Sequence, residues 1–176
     1  MNKLLSEQYR KVLEQEHADS EWGVTGWGQA PHVHKIMAQE GLGTLLDYGS
    51  GHGRLGHWFA KNAPEIDLRE YEPGIPERAA MPNPAEMVAC IDVMEHIEPE
   101  CVIAVLDHIQ SLAQRRVYFN ISMRLAGRIL NDGRNAHLTI QPQKWWTALL
   151  RERWNETGFS LAKDKTNLTW IGSFRA

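Results

Sequence analysis

The chain has 176 residues, 43% of them hydrophobic, and a formal net charge of −3. That is the size of one domain with enough apolar content to bury a core, which excludes disorder as the default state. The weak negative charge argues against nucleic-acid binding by bulk electrostatics, the two cysteines form no disulfide framework or metal pattern, and no apolar run is long enough to span a bilayer.

From Leu4 to about Ala18, apolar residues at Leu5, Tyr9, Val12 and Leu13 make a helical stripe on a charged background. Trp22-Gly23-Val24-Thr25-Gly26-Trp27-Gly28 follows. His32 to Glu40 is expected to be a second helix, stopped by Gly41 and Gly43. Thr44-Leu45-Leu46-Asp47-Tyr48 is a short apolar run and predicts a buried strand. Arg54 to Asn62 is helical, with Leu55, Trp58 and Phe59 on one side. Ile66 to Tyr71 is a second strand, closed by Pro73 and Gly74, and Met87 to Val93 a third. Glu100 to Leu112 is an amphipathic helix, and Val117 to Ile121 a fourth strand. Pro142 to Glu156 reads as a helix stopped by Gly158. Phe159 to Lys163 and Leu168 to Phe174 read as a closing antiparallel hairpin.

This alternation predicts an α/β fold: a Rossmann-like, doubly wound, mainly parallel sheet with an antiparallel C-terminal hairpin. In such sheets ligands bind beyond the carboxyl ends of the strands. No internal repeat or linker divides the chain, so residues 1–176 are expected to be one domain, with 1–43 a helical lid and 44–176 the sheet core.

The glycine turn after the first strand carries the chemistry. Glycines there let the backbone turn tightly and approach a ligand, with helix N–H groups pointing at it. An ordinary strand-to-helix turn does not account for three alternating glycines. Gly51-His52-Gly53-Arg54-Leu55-Gly56 is also a literal GxGxxG, which suits an NAD-binding enzyme. The register argues against that reading, because the strand meets Asp47 and Gly49 first, and Glu72 stands closer to Gly56 than the dinucleotide pattern places its acidic residue.

An acidic residue followed by Gly-x-Gly-x-Gly, here Asp47 to Gly53, resembles motif I of the class I S-adenosylmethionine-dependent methyltransferases. Leu68 to Pro73 looks like the end of that family's second strand, where a carboxylate holds the ribose hydroxyls. Cys90-Ile91-Asp92-Val93-Met94-Glu95-His96-Ile97 is similar to the D-V-L-E-H-I strand of the ubiquinone-biosynthesis type. His137-Leu138, Trp145-Trp146 and Gly158-Phe159 resemble that group's last crossover.

The resemblance implies S-adenosylmethionine as cofactor and methyl transfer to a small molecule by in-line displacement. The alternative is a non-catalytic domain that binds the same cofactor. Implied cofactor residues are Asp47, Gly49, Ser50, Gly51, Gly53, Glu72, Pro73 and Asp92, with Trp27 or Gln29 from the lid touching the amino-acid end. Asp92, His96 and His137 are the candidate catalytic residues, to orient or deprotonate an acceptor. For Asp92 an N-cap, and for Glu95 and His96 packing beneath the site, are the ordinary alternatives.

No metal is expected: His32 and His34 point to different faces of a helix and lack a third ligand. Only 14 residues separate Glu72 from Met87, and four of them are prolines. This predicts a missing strand and the loss of the family's acidic adenine reader, with Glu77 or the backbone near Met87 to Ala89 as substitutes. Neither an Asp/Asn-Pro-Pro-aromatic tetrapeptide nor a Pro-Cys pair occurs, which disfavours DNA bases as acceptors. The N-terminus turns polar at once, so a cytoplasmic location without a membrane partner is expected.

Overall fold

The structure, a computed structural model, describes residues 3–19 and 26–175; Trp22, from the glycine- and tryptophan-rich stretch, lies outside them. The chain runs α1 (Glu7–Glu16), α2 (Ala30–Glu40), β1 (Thr44–Tyr48), α3 (Arg54–Asn62), β2 (Asp67–Tyr71), β3 (Ala85–Ile91), α4 (Val102–Leu112), β4 (Ala113–Ser122), α5 (Gln143–Arg153), β5 (Asn155–Leu161) and β6 (Asn167–Ser173). One six-stranded sheet has the order β2-β1-β3-β4-β6-β5. The first four strands pair in parallel, and β6 lies antiparallel between β4 and β5.

The strands alternate between two apolar faces, as a sheet covered on both sides requires. One face presents Leu46, Val88, Cys90, Val117, Phe119 and Ile121 to α4 and α5, which contribute Val105, Leu106, Ile109, Trp146 and Leu150. The other presents Leu45, Met87, Ala89 and Tyr118 to α2 and α3, which contribute Val33, Met37, Leu55 and Phe59. A smaller cluster joins Tyr9 and Val12 of α1 to Leu130 and Ala136 of the loop after β4.

Between β2 and β3 the chain makes only a short 3-10 turn, Pro76–Arg78. The expected strand loss is therefore real and leaves β2 at the edge of the sheet. The predicted helix stop at Gly158 is corrected. Helix α5 ends at Arg153 because Trp154, almost fully buried, is already extended (φ −134°, ψ 157°) and commits the backbone to pairing with β6 from Asn155 onward. Gly158 instead lies within β5 beside a register irregularity, where an added Cβ would crowd Ile171.

Leaving β1, the chain moves outward to β2 and then crosses to β3 on the other side. This reversal opens a crevice between the C-terminal ends of β1 and β3, where the glycine turn and Asp92 sit.

Candidate functional site

Residues Gly49, Gly51 and Gly53 all have left-handed backbone, with φ of 79°, 49° and 73°, which explains their alternate spacing. At Gly49 an added Cβ would also overlap both methyls of Val93, and at Gly53 it would overlap the Glu70 carboxylate. The turn is held from below by the Tyr71 carbonyl, which accepts from the amides of Gly49 (2.8 Å) and Ser50 (3.1 Å). Arg78 donates to the Gly51 carbonyl.

Glu72, at the end of β2, is buried and accepts from the Gly51 amide (3.2 Å) and the Gly74 amide (3.0 Å). His17 Nε2, from the chain just after α1, lies 3.4 Å from Glu72 Oε1. Burial alone would raise the Glu72 carboxyl; the His17 contact and the two amides overcome it and hold the group below its ordinary range. It is thus an ionised acceptor, fixed in place. Asp47 differs: buried in β1 beside the charges of Glu70 and Glu72, it is pushed up to about 8.

A cavity of about 690 Å³ opens over these groups, the size of a cofactor site. Gly49, Gly51, Glu72 and Pro73 line it together with Asp92, Glu95, His96 and His137. Leu4, Leu5, Tyr9, Leu13 and His17 close it from the N-terminal side, and Arg124 to Arg128 from the loop after β4.

Asp92 sits past the end of β3 with φ 52°, a conformation uncommon outside glycine and concentrated at functional sites. Glu95 is fully buried; its Oε1 accepts from the Ser122 amide at 2.8 Å, and burial together with Asp92 pushes its carboxyl up to about 8. Desolvation and the neighbouring His137 push His96 down to about 4, so it is neutral at working pH. The rings of His96 and His137 meet edge to face, their centroids 4.8 Å apart. The loop that brings His137 here is stitched to the turn after β3: the Thr139 amide donates to the Glu95 carbonyl (2.9 Å) and the Thr139 hydroxyl to the Ile97 carbonyl (2.6 Å).

No protein-family model matches the sequence, and no curated protein does. Solved structures are similar in fold. An O-methyltransferase family protein from Burkholderia thailandensis aligns with 84% of this chain at 11% identity and TM-score 0.60; this chain spans 57% of that one. The 1,6-didemethyltoxoflavin-N1-methyltransferase from the same organism, solved with S-adenosylhomocysteine, aligns with 96% at 15% identity and TM-score 0.65, over 90% of its own length. The N-methyltransferase NodS from Bradyrhizobium japonicum WM9, also solved with S-adenosylhomocysteine, aligns with 95% at 14% identity and TM-score 0.59, over 98% of its length.

The fold is that of the class I S-adenosylmethionine-dependent methyltransferases. On it, the sequence-predicted residues divide. Gly49, Gly51, Glu72, Pro73, Asp92, His96 and His137 face one cavity. Asp47, Ser50 and Gly53 stand outside its lining and shape the turn. Trp27 is half exposed on the 3-10 turn Gly26–Gly28 and is also outside the lining, and Gln29 accepts from the Tyr118 hydroxyl at 2.7 Å. The backbone of Met87 to Ala89 is engaged inside the sheet between β1 and β4, which corrects its suggested role with adenine. Glu77 is exposed beside a smaller depression shared with His17, His52 and Arg78.

The sequence predicts α1 as part of a lid over residues 1–43 but does not say which of its side chains reach the cavity: the apolar stripe marks a buried face, and nothing local assigns Tyr9, Leu13 and His17 to this wall.

Proposed function

We propose that this chain transfers the methyl group of S-adenosylmethionine to a small-molecule acceptor, as an enzyme of a single unit spanning 1–176 with 1–43 as its lid. The observation that carries this reading is the left-handed Gly49-Gly51-Gly53 turn, whose Gly51 amide meets the buried, ionised Glu72 at the floor of a nucleoside-sized cavity. The residues fit the cofactor: the glycines clear a path that side chains would fill, and Glu72 keeps acceptor capacity beyond the two amides it already serves. The methyltransferase neighbours solved with S-adenosylhomocysteine support it.

In this reading Glu72 binds the ribose hydroxyls, and Gly49, Gly51 and Pro73 pack along the nucleoside. Asp47, Ser50 and Gly53 hold the turn in shape. The cofactor supplies an activated methyl group on a sulfonium centre, so the protein's task is largely positioning. Asp92, His96 and His137 orient the acceptor. The apolar side chains of Leu4, Leu5, Tyr9, Leu13, Val93 and Leu125 exclude water and favour an acceptor with an apolar face. No helix among the described residues is long and apolar enough to cross a membrane, and we place the protein in the cytoplasm, without a nucleic-acid partner.

Calorimetry with S-adenosylmethionine, S-adenosylhomocysteine and NAD tests the reading. Binding of the first two without NAD is expected, and binding of NAD alone overturns it. A methyl-labelled donor offered with candidate acceptors then separates an enzyme from a cofactor-binding domain.

A further inference from the structure

The turn after β3 and the loop after β4 bring together Glu95, His96 and His137, each of which offers one ligand atom within 4.8 Å of those of the other two. Both imidazoles are held as metal-bound histidines are held. Nδ1 of His96 lies 2.8 Å from the Ala136 carbonyl oxygen, and Nδ1 of His137 lies 2.6 Å from that of Arg124. A carbonyl can only accept, so each Nδ1 carries its ring's proton, and the lone pair is on Nε2, across the ring. Glu95 adds a carboxylate whose Oε1 is taken by the Ser122 amide, while its buried Oε2 has no hydrogen-bond partner among the described residues. A buried carboxyl oxygen left without a partner is costly, and a cation that takes the place of its proton removes that cost. All three residues line the main cavity, and Asp92 adds a further acidic group to the same wall.

We infer that Glu95, His96 and His137 form a binding site for a divalent first-row transition cation. Two imidazoles and one carboxylate suit zinc, iron, cobalt or manganese, whereas calcium and magnesium ask for oxygen donors throughout. Bonds of about 2.0–2.2 Å set ligand atoms about 3–4 Å apart, so modest rotations of the rings and carboxylate bring the group to bonding distance. Three protein ligands leave coordination positions open toward the cavity. An imidazole whose lone pair is given to a cation cannot also take a proton, so this assignment makes His96 and His137 ligands rather than bases. Cation binding itself does not depend on the methyl-transfer reading.

The test uses the full chain, stripped with a chelator and titrated with Co²⁺ while visible absorption and melting temperature are followed. One equivalent is expected to bind with a visible band that Zn²⁺ abolishes, and to raise the melting temperature. His137→Gln, in a half-buried loop position, and Glu95→Gln are each expected to weaken binding by at least about tenfold. His32→Gln/His34→Gln is expected to leave it unchanged. Circular dichroism checks that each variant folds. Absence of a Co²⁺ band in the stripped wild-type protein, undiminished affinity in His137→Gln, or loss of binding in His32→Gln/His34→Gln would each overturn the assignment.

Discussion

The Gly51 amide donates to Glu72 Oε2 at 3.2 Å, tying the turn after β1 to the end of β2. The same carboxylate receives the Gly74 amide and, at 3.4 Å, faces His17. Glycine turn, second strand and N-terminal segment therefore converge on one charged group. Glu72→Gln keeps the shape and removes the charge. Hydrogen bonds to charged groups contribute about 1.5–3 kcal/mol, so affinity for S-adenosylhomocysteine is expected to fall about tenfold to hundredfold, read by calorimetry. An unchanged dissociation constant would remove Glu72 from the cofactor site.

Asp47 gives the protein a pH dependence. Its folded-state carboxyl is pushed up to about 8 by burial and by the charges of Glu70 and Glu72, whereas the unfolded chain releases that proton near the ordinary aspartate value of about 3.9. A raised folded value means that its contribution is fully present below the unfolded value, declines as pH rises between the two, and is lost above about 8. The decline is at most about 1.4 kcal/mol per pH unit for one group. Glu95 acts in the same direction. Asp47→Asn is therefore expected to flatten the fall in melting temperature between pH 5 and pH 8.5 without abolishing it. Parallel curves for the two proteins would contradict this.

Gly49→Ala meets two obstacles, the left-handed backbone and the methyls of Val93. The backbone cost is about 1–3 kcal/mol, and the clash adds to it. Adding Val93→Ala removes the clash and leaves the backbone cost, so the double variant is expected to melt above Gly49→Ala and below Val93→Ala. Additive losses in a double-mutant cycle would show that the two side chains do not meet.

Helix α1 is strapped to the rest of the chain by charge. Glu16, buried at the end of α1, pairs with Arg128 at 2.7 Å and accepts from the Asn131 amide at 2.9 Å. Ser6, which caps the start of α1, donates to buried Glu98 from both its amide (2.7 Å) and its hydroxyl (2.8 Å). Arg128→Ala leaves the Glu16 carboxylate with a single donor among the described residues. Because the arginine is about one-third exposed, the expected loss is moderate, about 1–2 kcal/mol. Amide exchange in α1 is expected to accelerate while that of β1, β3 and β4 stays slow. Uniform acceleration across the sheet would mean that α1 is not a separate closing element.

Local order was legible in the residues themselves. The apolar runs that became β1 and β3 are buried on both faces. The three glycines mark a turn that only left-handed backbone makes, and the prolines between Glu72 and Met87 forbid another long element. Each of these is a short-range constraint, decided by sterics within a few residues. Long-range packing was not legible. Gly158 carries a helix-stop signal, yet pairing with β6 had already ended α5 at Arg153. The stripe on α1 shows that the helix buries one face, but only the folded chain sets Leu13 and His17 against Gly74, where no Cβ intervenes. Likewise, His137 reaches His96 through a loop whose path depends on Thr139 bonding to Glu95 and Ile97. Such contacts join residues far apart in the chain, and no local pattern encodes them.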